Sequence, residues 1–258
     1  MPDDSTRNVV HGDAGTVIQG HDIHLHQAPV TPVPRQLPPD VTHFTGRTAE
    51  LGVLDGLLTG QARTVVISAI AGAGGVGKTS LAVHWAHGVR DRFADGQLYV
   101  NLRGFSPEPP MSAAQVLTGF LTALGVPGRA VPRDLDAMTA LYRSLLADRR
   151  MVVLLDNAAS AEQVRPLLPG SPTCVVLVTS RRELRGLAAR DGARRIALDE
   201  LPHDDAMVLV RDIVGPARAD AETQATDLLV RMCAGLPLAH CGSLPSRSST
   251  VRTCASPT

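Results

Sequence analysis

Short runs of apolar residues alternate along the chain with longer segments in which apolar residues recur every three or four positions. The short runs fall near residues 64–70, 97–102, 151–155, 174–179 and 194–198. They are rich in Val, Leu and Ile and have the length of strands that are buried on both faces. The longer segments have the spacing of amphipathic helices. Strands that alternate with helices in this way predict an α/β fold, in which a parallel sheet is flanked by helices.

The helical pattern predicts how the chain is divided. It appears at residues 48–58 and again in a pair of segments, 113–124 and 135–147. After residue 199 the pattern is helical only, and Pro202 stands at the favoured first turn of the next helix. We therefore predict a sheet-containing domain over residues 41–198 and a partial helical subdomain over residues 199–239.

A glycine-rich loop follows the first predicted strand. Residues 72–79 read GAGGVGKT and fit the phosphate-binding pattern G-x-x-x-x-G-K-[ST], the P-loop. Glycines let backbone N–H groups converge on phosphate oxygens, and the N-terminus of the following helix adds partial positive charge there. The alternative is a glycine-rich turn that happens to precede a helix. The order of strand, loop and helix favours the α/β fold of a P-loop nucleoside triphosphatase (NTPase).

The charged composition singles out one residue of this loop. The chain has 24 arginines and a single lysine, Lys78, which is the lysine of the motif. Lysine is a compact charge on a flexible stem, so we predict that Lys78 contacts the β- and γ-phosphates. Thr79 is predicted to bind Mg²⁺ through its hydroxyl. The predicted nucleotide-binding residues of the loop are Gly72, Gly74, Gly75, Val76, Gly77, Lys78, Thr79 and Ser80.

Two later strands end in charged residues. Asp156 follows the run 151–155, at the sheet edge where ligands bind in open α/β sheets, and is predicted to lie on the Mg²⁺ side. It would serve equally as the N-cap of the next helix. Arg181 follows the run 174–179 and is predicted to reach the γ-phosphate, the alternative being a solvated arginine. Lys78, Asp156 and Arg181 form the predicted catalytic set, and Thr79 and Asp156 the predicted metal site.

Asn157 bears on whether this set hydrolyses a nucleotide. It stands beside Asp156, where a second acid would be needed to activate water. A side-chain amide cannot accept that proton. The sequence therefore predicts slow hydrolysis or none.

The motifs taken together resemble a known family. In order they are FTGRTAEL (44–51), the P-loop, DGQLYVNLRG (95–104), MVVLLDNA (151–158), VLVTSR (176–181) and GLPLA (235–239). This set resembles the NB-ARC NTPases of the STAND class in their actinobacterial form, over residues 41–239. The resemblance implies that Phe44, Gly46 and Arg47 cradle adenine, that Arg181 senses phosphate, and that Pro237 packs against the base or ribose.

The same resemblance implies a function. It implies a signalling switch that binds ATP or ADP with Mg²⁺, in which the nucleotide controls assembly into a homo-oligomer. Two alternatives stay open. One is an active ATP hydrolase, and the other is the ATPase part of a transcriptional regulator.

Residues 1–40 are predicted to form a flexible arm. PVTPVPRQLPPD (29–40) is typical of an extended, semi-rigid linker, and a weak repeat, VVHGDAG (9–15) and VIQGHDI (17–23), precedes it. The repeat resembles amyloid-like signalling motifs at the N-termini of bacterial NLR-type proteins, which implies an effector protein as partner. The alternative is a disordered arm.

Residues 240–258 contrast with the helical start of GLPLA, because they have almost nothing to bury. We interpret them as a disordered tail after a truncated helical subdomain. Its origin is either a shifted reading frame or a native disordered terminus.

Charge and hydropathy limit the expected partners and location. The net charge is zero at pH 7 with both signs mixed along the chain, which argues against direct nucleic-acid binding and against membrane-surface binding. We find no apolar run of membrane-spanning length and no secretory signal at the start, so a cytoplasmic location is expected.

Overall fold

The protein is described by a computed structural model, which covers residues 33–59, 66–233, 236 and 237. The predicted repeat at 9–23, the start of the predicted linker and the predicted tail at 240–258 lie outside the described residues. The described chain contains a sheet of five parallel strands in the order β2-β3-β4-β1-β5. These strands are β1 (Val66–Gly72), β2 (Gln97–Asn101), β3 (Val152–Asp156), β4 (Val175–Ser180) and β5 (Arg194–Leu198).

Helices occupy the connections between the strands and the region after the last strand. They are α1 (Thr48–Thr59), α2 (Lys78–Val89), α3 (Ala113–Ala123), α4 (Leu135–Leu146), α5 (Ala161–Val164), α6 (Arg185–Asp191), α7 (His203–Val214), α8 (Pro216–Ala221) and α9 (Thr223–Met232). Short 3₁₀ turns lie at Arg90–Arg92, Gly128–Ala130 and Arg165–Leu167. Pro202 is the N-cap residue of α7 and therefore precedes the first turn, in which it was predicted to lie. None of the described helices is long and apolar enough to cross a membrane.

Burial along the strands follows their place in the sheet. Every residue of β3 and β4 is buried, as expected for central strands covered on both faces. In the edge strand β5 only Ile196 and Leu198 are buried, while Arg194 and Arg195 are exposed. The predicted α/β fold, a parallel sheet flanked by helices, is confirmed. The continuous apolar runs of the sequence form the central strands β3 and β4.

Three apolar clusters hold the described chain together. One sheet face packs against α3, α4, α5 and α6, with Phe120, Tyr142 and Leu146 in the cluster. The other face packs against α1 and α2 and includes Trp85. A third and smaller cluster joins α7 to α9, with Leu209 and Val230 among its members. The region after residue 199 is helical and has apolar contacts of its own.

The strand order positions the functional residues. β4 follows β3 in the chain but lies between β3 and β1 in the sheet. The C-terminal ends of β1, β3 and β4 are therefore neighbours. This arrangement brings the glycine loop after β1, Asp156 at the end of β3 and Arg181 after β4 to the same edge.

Residues 33–40 differ from the prediction of a flexible arm. Gln36 N–H donates to the Gln97 carbonyl at 3.1 Å, and Gln97 N–H donates to the Pro34 carbonyl at 2.7 Å. A ring nitrogen of His87 on α2 lies 2.8 Å from the Pro38 carbonyl. The segment is extended, as predicted, but it lies against the domain. The reason is that β2 is an edge strand, and its outer N–H and C=O groups accept an extended partner.

Candidate functional site

A cavity of about 620 Å³ opens where β1, β3 and β4 end. This volume lies within the range of small-molecule sites, roughly 300–1,000 Å³. Three parts of the chain line it. They are residues 40–47, the glycine loop together with the ends of β3 and β4, and residues of the helical region after 199. The predicted site residues that line it are Phe44, Arg47, Gly74, Gly75, Val76, Gly77, Lys78, Thr79, Ser80, Asp156, Arg181 and Pro237.

Two predicted site residues are not among the lining residues. A Cβ atom at Gly72 would lie 2.5 Å from the Leu198 carbonyl oxygen, so this glycine allows β1 and β5 to approach closely. A Cβ atom at Gly46 would collide with the Asp205 carboxylate, and Gly46 has a φ of +69° that favours glycine. The structure gives these two glycines a packing role, and their contact with a nucleotide stays a prediction.

The glycine loop presents a cationic, donor-rich surface to the cavity. Gly77 precedes α2 in a left-handed conformation, with φ at 97°. The N–H groups of the first helical turn lack intrahelical acceptors, so they are available to an anion. The Lys78 ammonium donates back to the Gly72 carbonyl at 2.9 Å and to the Ala73 carbonyl at 2.6 Å.

The electrostatic environment of Lys78 favours an anion at this surface. Burial lowers the pKa of Lys78 from its ordinary value, and the charge of Arg181 lowers it further, while Asp156 opposes both effects. The Lys78 residue is 9% exposed. Two cations thus converge on a poorly solvated site, and an anion placed between them would relieve their repulsion. The residues present fit a phosphate group.

Asp156 is at the centre of a hydroxyl network. Thr79 and Thr179 both donate to one Asp156 carboxylate oxygen, at 2.7 Å and 2.5 Å. Tyr99 on β2 contacts the same carboxylate, and burial together with Asp156 raises the pKa of Tyr99 to about 12. The tyrosine hydroxyl therefore stays protonated well above neutral pH and can donate to Asp156. The sequence prediction noted Thr179 at the end of its strand without giving it a role, and it missed Tyr99.

Asn157 lines the cavity beside Asp156 and is held by its neighbours. Its backbone lies in the left-handed region, with φ at 57°. Its backbone N–H donates to the Thr179 hydroxyl at 2.9 Å, and its side-chain amide donates to the Ser106 hydroxyl at 3.2 Å. Among the described residues that line the cavity, the carboxylates are Asp40 and Asp156.

The oxygen ligands fit a magnesium ion that is shared with a phosphate. The described residues contain no group of three or more His, Cys, Asp or Glu side chains that could hold a metal alone. Thr79 and Asp156 supply one hydroxyl and one carboxylate, with their oxygens 2.7 Å apart. Mg²⁺ is commonly bound by one or two carboxylates together with substrate phosphates and water, and this pair matches that pattern.

Residues 40–47 form one wall of the cavity and are fixed to α1 and α2. The Phe44 ring stacks on the His84 imidazole, with ring centroids 4.0 Å apart and planes inclined by 12°. A ring nitrogen of His84 lies 3.2 Å from the Asp40 carboxylate. Arg47 is buried and donates to the Val76 carbonyl at 3.1 Å and to the Asp199 carbonyl at 2.7 Å.

The remaining wall is apolar and comes mainly from the helical region. Leu201, Leu209, Ile213 and Pro237 line it, and Val41 lies in the opposite segment. Pro237 also lies near the loop, since a Cβ atom at Gly77 would be 3.8 Å from its ring. The sequence prediction included Pro237 and missed Leu209 and Ile213. Their helical spacing in α7 was visible, but periodicity does not tell what a helix face contacts.

Arg181 lies at the rim of the cavity near the loop. A Cβ atom at Gly74 would lie 3.6 Å from the central carbon of its guanidinium. The guanidinium also lies over the Phe105 ring, 5.4 Å from the ring centroid. The structure thus brings Arg181, Lys78 and Asp156 to one edge of the sheet, as the strand ends predicted. Phe105 is an addition that sequence patterns did not indicate.

Comparisons with known proteins agree with this fold. The chain is 48% identical over 209 residues to the regulatory protein AfsR of Streptomyces griseus, covering 80% of the chain and 21% of AfsR. It is 27% identical over 219 residues to RF9, an Arabidopsis thaliana protein named for disease resistance, covering 80% of the chain and 20% of RF9. The chain thus spans about a fifth of the length of each relative. No family model matches it.

A solved structure supports the same architecture. A STAND protein with a tetratricopeptide repeat sensor, from Pyrococcus horikoshii, superimposes with a TM-score of 0.53 at 20% identity. The match covers 80% of the chain and 30% of that protein. At this identity the likeness shows the fold alone. The fold is that of an α/β P-loop NTPase.

Proposed function

We propose that this P-loop NTPase binds adenine nucleotides together with Mg²⁺ and acts as a nucleotide-controlled switch of the NB-ARC type. One observation carries the proposal. A single cavity joins a cationic glycine loop, a carboxylate with two hydroxyl donors, and an apolar wall. These three surfaces match the phosphates, the metal ion and the base of one ligand.

Each surface has a defined task in this proposal. The N–H groups at the start of α2 and the Lys78 ammonium bind the β- and γ-phosphates. Thr79 and Asp156 bind Mg²⁺, which screens the phosphate charge when it is bound. Phe44, Ile213 and Pro237 contact the base and ribose. Arg181 reaches the terminal phosphate from the end of β4.

The relatives support a regulatory role. One is named a regulatory protein and another is named for disease resistance. We extend this to a cytoplasmic switch in which the nucleotide controls assembly into a homo-oligomer. An effector partner at the N-terminal arm stays a prediction, because the repeat at 9–23 lies outside the described residues.

The first test is the nucleotide that copurifies with the protein. We expect ADP or ATP in the wild-type protein, released on denaturation and identified by chromatography. The Lys78→Ala variant should carry much less, because it loses the charge that faces the phosphates. Arg129→Ala, an exposed cation outside the cavity lining, should retain the wild-type amount. A wild-type protein that neither carries nor binds an adenine nucleotide would overturn the proposal.

The second candidate function is an active ATP hydrolase, and Asn157 argues against it. General-base catalysis contributes roughly 10²–10⁴-fold to a rate, and an amide cannot supply it. The Asn157 amide is instead engaged with Ser106. We therefore expect steady-state turnover to be slow, roughly 10²–10⁴-fold below that of an ATPase with a general base at this position. Sustained turnover of several per minute, abolished in Lys78→Ala, would favour the hydrolase.

A further inference from the structure

Phe105 lies close to two arginines that follow β4. It belongs to the loop between β2 and α3, and its ring is half-buried. The Arg181 guanidinium carbon lies 5.4 Å from the ring centroid, and that of Arg182 lies 5.9 Å from it. Both distances are within the range of a cation–π interaction, which extends to about 6 Å.

The loop that carries Phe105 is fixed to the end of β3. Leu102 N–H donates to the Asp156 carbonyl, and Gly104 N–H donates to the Asn157 carbonyl, both at 2.7 Å. A Cβ atom at Gly104 would collide with the Ala159 backbone nitrogen, so this close approach requires glycine. Phe105 is therefore held at a defined place beside the residues that face the cavity.

Electrostatic repulsion acts to move Arg181 away from its position beside the P-loop. Its charge helps to lower the pKa of Lys78, so the two cations repel each other across the loop. Arg181 is also exposed, which gives its side chain room to turn into solvent. Something must hold its guanidinium beside Gly74, and the negative face of the Phe105 ring lies at the required position.

We propose that Phe105 is a positioning residue that holds the Arg181 guanidinium against the P-loop and thereby favours triphosphate over diphosphate nucleotides. The inference rests on the proposed nucleotide-binding function. A diphosphate leaves the Arg181 side of the loop without a contact, whereas a triphosphate extends to it. Pre-positioning of Arg181 then lowers the cost of forming that contact.

The test measures affinity for two nucleotides by titration calorimetry with Mg²⁺, using a non-hydrolysable ATP analogue and ADP. Phe105→Leu keeps an apolar side chain and removes the π face. We expect it to weaken binding of the ATP analogue by roughly two- to five-fold, the range of a cation–π contact at an exposed site, and to leave ADP binding unchanged. Phe105→Trp should retain wild-type affinity for both ligands, because it keeps the π face.

Double variants identify which arginine is involved. In an Arg181→Ala background, Phe105→Leu should have no further effect on binding of the ATP analogue, because the contact is already absent. In an Arg182→Ala background it should keep its full effect. Coupling to Arg182 instead of Arg181 would overturn the inference, as would an equal loss of ADP and ATP-analogue binding.

The two proposals fail in different ways. If the wild-type protein binds both nucleotides and Phe105→Leu leaves their affinity ratio unchanged, this inference is wrong and the nucleotide-binding proposal stands. If the wild-type protein binds neither nucleotide, the nucleotide-binding proposal is wrong, and this inference is wrong with it.

Discussion

At the scale of single residues, Lys78 carries a folding cost at the position where we propose that phosphate binds. Its ammonium is buried beside Arg181, and its pKa lies below the ordinary value of 10.5. A lysine whose pKa is lower in the folded state than in the unfolded state decreases the free energy of unfolding. The full decrease applies at pH values below the folded-state pKa. This decrease is relieved as pH rises through the folded value, and it ends above 10.5. The two hydrogen bonds to loop carbonyls offset part of this cost.

The Lys78→Met variant separates the burial cost of the lysine charge from its proposed contact with phosphate. We expect its nucleotide-free form to melt at the wild-type temperature or above it, because an uncharged side chain avoids the burial cost. The rise in melting temperature that ADP causes in the wild-type protein should disappear, since the phosphate contact is lost. Differential scanning calorimetry with and without ADP measures both quantities. A variant that melts well below the wild type without nucleotide would show that the loop hydrogen bonds outweigh the burial cost.

At the scale of elements, side-chain hydrogen bonds connect the C-terminal ends of β1, β3 and β4. Thr79, which follows the β1 loop, and Thr179 on β4 donate to the same oxygen of Asp156 on β3. Thr179 also accepts the Asn157 N–H, so one hydroxyl supports both residues at the strand end. The Asp156 carboxylate, which we propose binds Mg²⁺, is thus oriented by hydroxyl groups on α2 and β4 and not by its own strand.

Thr179→Val tests this orientation with little change in shape. Thr179 is 1% exposed, and removing its hydroxyl leaves buried polar groups without a partner. We expect a loss of about 1–3 kcal/mol in the free energy of unfolding, measured by urea denaturation. ADP affinity should also lose much of its dependence on Mg²⁺, because Asp156 is no longer held in place.

Thr173→Val is the matched control for this variant. Thr173 precedes β4 at the opposite end, and its hydroxyl donates to the Arg149 carbonyl at 2.6 Å. The same hydroxyl lies 2.7 Å from the hydroxyl of buried Ser171, which also accepts the Thr173 backbone N–H and keeps that partner in the variant. Because Thr173 is exposed, water can replace the bonds that its hydroxyl loses. We expect a loss of less than about 1 kcal/mol and an unchanged Mg²⁺ dependence. Equal effects of the two variants would contradict a specific role for Thr179.

At the scale of the whole molecule, the cavity needs residues that lie far apart in the chain. Residues 40–47 precede the sheet, the loop and strand ends lie within it, and α7 follows it. Arg47 joins these parts, because it donates to Val76 in the loop and to Asp199 after β5. The apolar wall therefore depends on the packing of α7 over the sheet edge.

Ile213→Asp tests whether the α7 wall contacts the base. We expect ADP affinity to fall roughly ten-fold or more, because a charged group would face an apolar ligand surface. Affinity for pyrophosphate, which has no base, should stay unchanged. Val208→Asp places the same charge at an exposed position of α7 outside the cavity lining and should leave both affinities unchanged. A parallel loss of ADP and pyrophosphate binding would contradict the assigned contact.

The sequence by itself determined the elements and the chemistry that is local to them. The P-loop, Asp156 and Arg181 were identifiable because each follows a strand of recognisable pattern. Such patterns tell which residues face an apolar environment and which polar groups stand at a strand end. They also placed Lys78 as the lone lysine in the phosphate loop.

Only the tertiary structure decided which of these groups meet. The insertion of β4 between β1 and β3 sets Thr179 against Asp156, and the β2 loop sets Phe105 under Arg181. The packing of residues 33–40 on the edge of β2, and of α7 over the cavity, likewise needed coordinates. The physical reason is that periodicity reports the environment of a residue, whereas its contacts depend on pairing between segments that are distant in sequence.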